Sequence, residues 1–392
     1  MHPLLTRTNQ LCQTYIAPQA QILDSNPDAL AQALALLGQQ DLLALKAFPS
    51  WQGAPIDALV FAQFQERLAR SSGALAFLQT QHQSAGGMLA NSDNRSLQAA
   101  YLPKMAQGEA LVGIAFSHLR RVDNPPVTAI ALAEGEGLNG EGLNGYEING
   151  SIPWITGYGI FQDFILAATL PDGSAVYGLL PLKSTTQGTG GSLLLSEPME
   201  LAAMGAAQTV VGTLTRWILP LKRVVTIRPA GAIQASDRAN VLSHSSFALG
   251  CAQAGVDWLL EMQQRKPFLP IAPIHDALVT ELHTCRTEIS QAFTNQDSRH
   301  DLTQDFESQL SLRVWAIDLA LRCTQAAVVA SSGAANQSSH PANRLYREAL
   351  VWSVAGQTPD VMTATLQRIA ERSTSISGWQ IPGNHAVVGG VI

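Results

Sequence analysis

The stretch NGSIPWITGYGIFQDFILAATLPDG, Asn149–Gly173, decides how this chain is read. An Asn-Gly pair opens it and an Asp-Gly pair closes it, and both favour tight turns. Between them lie two short runs of β-branched, aromatic and apolar residues, separated by a segment holding Gly157 and Gly159. The pattern is strand, loop, strand. Trp154 and Thr156 are two residues apart, so they point to one face of the first strand. An indole and a hydroxyl on one face suit a flat heteroaromatic cofactor, because the ring stacks and the hydroxyl bonds to a ring nitrogen or oxygen. The same pair also reads as a Trp covering the end of a barrel and a Thr capping a strand.

Outward from this stretch the strand texture continues. ALVGIAFS, VTAIALAE, AVYGLLPL and TVVGTLTRWILPL are short runs punctuated by Gly, Pro and Asn, so residues 111–222 read as a β domain, a small barrel or sandwich. Within it GEGLNGEGLNG, residues 135–145, duplicates five residues and reads as a lengthened hairpin tip. On the N-terminal side, PDALAQALALLGQQ and IDALVFAQFQERLARS space apolar residues three and four apart, and SLQAAYLPKMAQGE reads as a short helix and a turn. Residues 1–110 therefore form a helical domain. On the C-terminal side, Leu310, Val314, Ile317, Leu321 and Val328 keep one apolar stripe. Three or four long helices fit beyond residue 236, so residues 223–392 read as a four-helix bundle. Helices, then strands, then helices, with no βαβ alternation and no GxGxxG, disfavour a dinucleotide-binding Rossmann domain.

The chain has 392 residues, of which 46% are hydrophobic and 14% charged, and this excludes a disordered protein. A net charge of −6 argues against nucleic acid or a membrane surface as partner. Cys12, Cys251, Cys285 and Cys323 are far apart and form no CxxC, so buried thiols in a reducing cytoplasm are expected rather than disulfides or a metal site. The opening MHPLLTRTNQLCQ has too short an apolar run for a secretion signal, and no membrane-spanning segment is expected.

With this order of domains, Trp154-Ile155-Thr156 resembles the flavin-ring strand of the acyl-CoA dehydrogenase family. The resemblance covers most of the chain and implies FAD as cofactor. It sets Trp154 and Thr156 at the flavin's central ring. GIAFSHLRR falls where the family has a strand ending in Thr-Glu-Pro, so Phe116 and Ser117 would lie along the pyrimidine side, Ser117 keeping the hydroxyl. His118-Leu119 replaces Glu-Pro, and the following family serine that helps hold CoA has no counterpart. In QQRKPFLPIAPIHD, Arg265, Phe268 and Ile271 match the spacing of a family motif whose Arg reaches the cofactor diphosphate of the neighbouring subunit. A permanent cation suits that role. Gly333 matches one of the family's diphosphate-loop glycines, and Pro341 and Arg347-Glu348-Ala349 align beyond it. A homodimer or homotetramer is implied.

The family's dehydrogenases remove a substrate α-proton with a glutamate. Counted from Arg347, its place in VAGQT (354–358) is Gly356, and Thr358 retains a family threonine that contacts the cofactor. The alternative glutamate of some members falls on Asn240 or Ala239. Both places lack an acid. Nearby, Glu348 reads as a helix-surface or ion-pair residue, and Asp360 as an acid at a helix start. Asp237 reads as a first-turn residue and His244 as a polar contact within a helix. None is taken as the base, and the catalytic residues stay unassigned. The resemblance therefore implies an FAD-linked oxidoreductase acting on the CH–CH group of an acyl thioester or related small-molecule substrate, with an altered or absent base. A flavin monooxygenase of the same fold, with His118 or Ser117 near the flavin, and a catalytically dead scaffold are the alternatives. The electron acceptor or reductase is unassigned.

Overall fold

The computed structural model describes residues 2–121, 123–132, 144–294 and 302–374. The chain begins with helices α1 (Pro3–Leu11), α2 (Ala20–Ser25) and α3 (Pro27–Gln39). After a short hairpin, β1 (Ser50–Trp51) and β2 (Ala54–Pro55), come α4 (Ala58–Ser71), α5 (Gly73–Ala90) and α6 (Arg95–Ala106). Side-chain caps set the starts of five of these helices, His2 Nδ1 accepting from Leu4 N at α1. Asn26 Oδ1, Asp57 Oδ1, Ser72 Oγ and Asn94 Oδ1 accept from the backbone N–H groups of Ala29, Val60, Leu75 and Leu97, satisfying donors that a helix start leaves free. The hairpin interrupts the helical reading of 1–110. Its tip is Gln52-Gly53, with φ of 49° and 82°, which a helical period does not register.

The strands are β3 (Val112–Ala115), β4 (Val127–Leu132), β5 (Gly145–Thr156), β6 (Asp163–Thr169), β7 (Ala175–Pro181), β8 (Thr185–Thr186), β9 (Ser192–Leu195), β10 (Thr209–Pro220) and β11 (Val224–Arg228). They form one sheet in the order β11-β7-β6-β4-β5-β10-β9-β8, with β3 parallel to β6 off that path. β11 pairs with β7, so the sheet runs on past residue 222. β4 and β5 are antiparallel with Leu132 opposite Gly145, and most of the duplicated GEGLN segment between them lies outside the described residues.

Next come α7 (Ala232–Ala239), α8 (Ser245–Arg265), α9 (Ala272–Thr294), α10 (Leu302–Ser331), α11 (Pro341–Val354) and α12 (Pro359–Thr374). Helix α10 packs against α8, α9, α11 and α12. In its stripe Leu310, Val314 and Ile317 are buried, while Leu321 and Val328 are half-buried. Contrary to the sequence expectation, its extended helical segment Asp305–Asn336 is long and apolar enough by length and composition to cross a membrane. More than half of that apolar window is buried inside the protein, as in the centre of a bundle. Cys12, Cys251, Cys285 and Cys323 are free and buried, and burial pushes their thiols up.

The Arg347-Glu348 pair ties the three regions together. Arg347 Nη1 donates to Asp24 Oδ2 (2.9 Å) and to Ala202 O (2.6 Å). Glu348 is fully buried, against the helix-surface expectation. It accepts from Gly73 N at the start of α5 (3.2 Å) and from Arg344 Nη1 (2.7 Å). A carboxylate at a helix N-terminus meets unpaired donors and the positive end of the dipole. Gly73 is needed there, because a Cβ would come 2.7 Å from the Glu348 carboxyl carbon.

Candidate functional site

The first cluster forms around the end of β5 and the turn that follows β3. A Cβ added at Gly113, near the start of β3, would lie 3.3 Å from the carbonyl oxygen of Thr156, so the start of β3 touches the end of β5. Beyond Thr156 the chain turns at Gly157, whose φ is 99° and whose missing Cβ is replaced by the Phe161 ring. Gly157 N–H donates to Ala207 O (2.8 Å) and Tyr158 N–H to Gln208 O (3.0 Å), which fixes the end of β5 beside the start of β10. Beyond β3, Phe116 leads into a single helical turn, Ser117–Arg120, which packs against β5, β6 and α7.

Phe116, Ser117, Trp154 and Thr156 therefore belong to one corner of the β domain. Trp154 is 37% exposed and Thr156 1%. The indole is open to solvent, while the Thr156 hydroxyl shares a 3.1 Å hydrogen bond with Thr209 Oγ1. Ser117 is exposed. Phe116 is half-buried, held edge-on against Tyr177 at 5.8 Å. His118 points the other way. It is buried, its Nε2 lies 2.9 Å from Ala167 O, and burial lowers its pKa, so it is structural.

The second cluster is the loop 355–358 between α11 and α12. Gly356 has φ 58°, and a Cβ there would come 2.6 Å from His244 Nε2 and 2.7 Å from its Cε1. An imidazole thus rests directly on the glycine. Arg313, buried in α10, ties the loop down: its Nη2 donates to Ala355 O and Gly356 O at 2.9 Å each, and its Nη1 to Val241 O at 3.2 Å. Thr358 Oγ1 accepts from Val361 N (3.3 Å) and caps α12.

His244 closes the short turn Val241–His244 before α8, and its ring meets Phe247 edge-on at 5.9 Å. Phe247 in turn stacks on Trp352 at 4.7 Å. No hydrogen bond holds the His244 ring among the described residues, against the expectation of a satisfied polar contact. The ring keeps some accessible surface although protein surrounds it. Burial first, then the charges of Arg313, Lys46 and Arg120, push its pKa well below the usual value, so it is neutral at pH 7. Asp237 sits in the last turn of α7, not the first as expected, and is clamped by Arg120 at 2.6 and 2.7 Å. Asp360 pairs with Arg238 at 3.5 Å. Asn240 and Ala239 are exposed and uncharged.

The third cluster lies at the other end of α8. Arg265 is exposed, ion-paired to Glu261 and 5.6 Å from the Trp258 ring. Phe268 is 80% exposed. Gly333 is exposed nearby, since Lys266 Nζ reaches Ala330 O at 2.8 Å. Twenty residues of helix separate Arg265 from Ser245, about 30 Å. One copy of the chain therefore does not bring all eight expected cofactor residues together. Phe116, Ser117, Trp154 and Thr156 converge, Thr358 stands with the His244 end, and Arg265, Phe268 and Gly333 stand apart.

No pattern in the sequence marks Arg313 or Lys46, and His244 reads there only as a polar contact within a helix. A glycine at the place of a longer side chain is the one signal that something else fills the space. Which residue fills it depends on a contact between positions 112 residues apart.

Residues 3–109 match the family model described as acyl-CoA dehydrogenase, N-terminal domain. The whole chain superposes on butyryl-CoA dehydrogenase from Megasphaera elsdenii with a TM-score of 0.69 at 16% identity, covering 94% of this chain and 99% of the other. This chain has the acyl-CoA dehydrogenase fold. The same fold holds KijD3, solved with FMN and a dTDP-linked amino-keto sugar, at a TM-score of 0.73 and 18% identity, covering 96% and 95%. It also holds an acyl-CoA dehydrogenase complexed with FAD from Bacillus anthracis, at 0.72 and 15% identity, covering 95% of this chain and 66% of that one. Among curated proteins none matches this acyl-CoA dehydrogenase-fold chain.

Proposed function

We propose that this protein is a flavin-dependent oxidoreductase that acts on the CH–CH group of an acyl thioester or related compound, with the base at position 356 replaced. The observation that carries this reading is the open corner where β5 ends and the turn after β3 packs against that strand. There Trp154 presents an exposed indole and Ser117 an exposed hydroxyl, while Thr156 is buried with its hydroxyl bonded to Thr209. An aromatic platform with adjacent hydrogen-bonding groups fits an isoalloxazine ring. The FAD- and FMN-bound structures of the same fold support the choice of flavin. When bound, flavin would supply the two-electron redox chemistry.

The chain's own residues would do the rest. Trp154 would cover one edge of the ring, and Thr156, Ser117 and Phe116 would fix its orientation. Arg265, Phe268 and Gly333 would serve the diphosphate of the cofactor in a second copy, since Arg265 stands about 30 Å from the His244 end of α8. This favours a homodimer or a dimer of dimers. Thr358 would hold the loop end against the cofactor while capping α12.

A visible absorption spectrum of the purified protein, with and without added FAD, tests the cofactor. A flavin band that survives desalting is expected, and a protein that stays colourless after FAD addition overturns the reading. Anaerobic titration with a panel of acyl-CoA thioesters then tests the reaction. Bleaching of the flavin supports dehydrogenation. No bleaching, together with oxygen consumption when a reductase is supplied, would mean a monooxygenase instead.

A further inference from the structure

Three imidazoles near the domain junction are pushed toward the neutral form, and two of them are fully engaged. His82 Nε2 lies 3.1 Å from Met105 O and its Nδ1 accepts from Val112 N, while His118 is held by Ala167 O. His244 differs: its ring has no hydrogen-bond partner among the described residues and keeps accessible surface. Its orientation is nevertheless set. Phe247 holds one edge, Phe247 is locked by the parallel stack on Trp352, and Gly356 lies against Nε2 and Cε1. Arg313 bonds both Val241 O, at the start of the His244 turn, and the carbonyls of Ala355 and Gly356, so it fixes the imidazole relative to the loop.

We propose that His244 is the proton acceptor of this site, its Nε2 occupying the space into which a side chain at position 356 would project. This rests on the reading of the corner and loop as a substrate site. The proton comes from the α-carbon of a bound carbonyl compound. The C–H bond breaks, its electron pair passes into the enolate, and the proton bonds to Nε2, giving imidazolium. The charged groups that act on the ring are Arg313 from α10, Lys46 from the N-terminal region and Arg120 from the turn after β3, with Asp237 of α7 clamped on Arg120. This mainly cationic surrounding stabilises an enolate and keeps the resting imidazole neutral. A weak base of this kind is matched to an acidified proton, so the substrate class is a carbonyl compound with a second activating group on the same carbon.

The test measures exchange of the C2 protons of acetoacetyl-CoA in D2O by proton NMR on the full-length protein, without added flavin. Wild type should exceed the buffer rate by about 100-fold. His244→Ala should fall to the buffer rate, and added imidazole should restore exchange to that variant, which a purely structural role would not allow. His244→Asn, which keeps a polar side chain, should fall as well without recovering the wild-type rate. Wild-type exchange no faster than buffer, or a His244→Ala protein that unfolds no earlier and exchanges as wild type does, overturns the proposal. FAD retention is read separately by absorbance. Exchange that needs His244 in a protein that never binds FAD would leave the proton acceptor standing and remove the flavin reading. FAD binding without His244-dependent exchange would do the reverse.

Discussion

The two ends of helix α8 are built in opposite ways. At its start, His244 lies against Gly356 and Phe247, Phe247 stacks on Trp352, and Arg313 ties down the loop carbonyls. At its far end, Arg265, Phe268 and Gly333 stand in solvent with one surface ion pair and one ring contact for Arg265. The packed end is finished within one chain. The open end presents a large aromatic residue and a cation to water. Under the proposed function, the open end is the one that would serve a cofactor in a second copy.

Breaking the packed side should cost the most. Glu348→Ala strands Arg344 in the interior and removes an acceptor from the start of α5, with an expected loss of about 3–5 kcal/mol in urea unfolding. Burial raises the Glu348 pKa despite Arg344, so the neutral Glu348→Gln should cost much less. A loss of the same size in both variants would mean that charge is not the issue.

Acid should act next. His82 is buried and its pKa is lowered to about 4 from an unfolded value near 6.5. A lowered histidine pKa means that the unfolded chain binds the proton first. Stability is therefore full above pH 6.5 and falls as pH drops toward 4, by about 3 kcal/mol for this shift. His82→Gln should flatten that slope, and an unchanged slope would assign it to other groups.

Gly356→Ala drives a Cβ into the His244 ring at positive φ and should cost about 1–3 kcal/mol in thermal unfolding. Combining it with His244→Ala should relieve most of the steric part, so the two changes should be non-additive. For the same reason Gly356→Glu alone should not place a carboxylate at the substrate, whereas Gly356→Glu with His244→Ala frees the space. On the open side, Arg265→Ala should change stability by less than about 0.5 kcal/mol, as for an exposed ion pair. Its effect should appear instead in FAD retention, measured by absorbance after desalting. A large stability loss there would show that the two ends are not built differently after all.

Much of this was legible along the chain. The strand run around Trp154, the helical periods on either side and the break at VAGQT are local patterns, and they fall on β5, on α4 and α10, and on the loop between α11 and α12. The Gln52-Gly53 hairpin and β11 were not, because two- to five-residue strands carry too little periodicity. Asp237 read as a first-turn acid because its ion pair with Arg120, 117 residues away, leaves no trace at neighbouring positions, and the burial of Glu348, whose ion pair was expected, comes from its contact with Gly73. His118 looked available beside Ser117 until the Ala167 carbonyl was found on its ring.

By itself, the sequence determined the order of helices, strands and helices, the aromatic-hydroxyl pair of Trp154 and Thr156, and the absence of an acid at Gly356. These depend on residue type and on spacing of a few positions. Only the tertiary structure decided that His244 fills the place left by the missing side chain, that Arg313 binds loop and turn together, and that Arg265 stands about 30 Å from that end of α8. Contacts of this kind join residues tens to hundreds of positions apart, and their energy comes from burial and fit that no local pattern encodes.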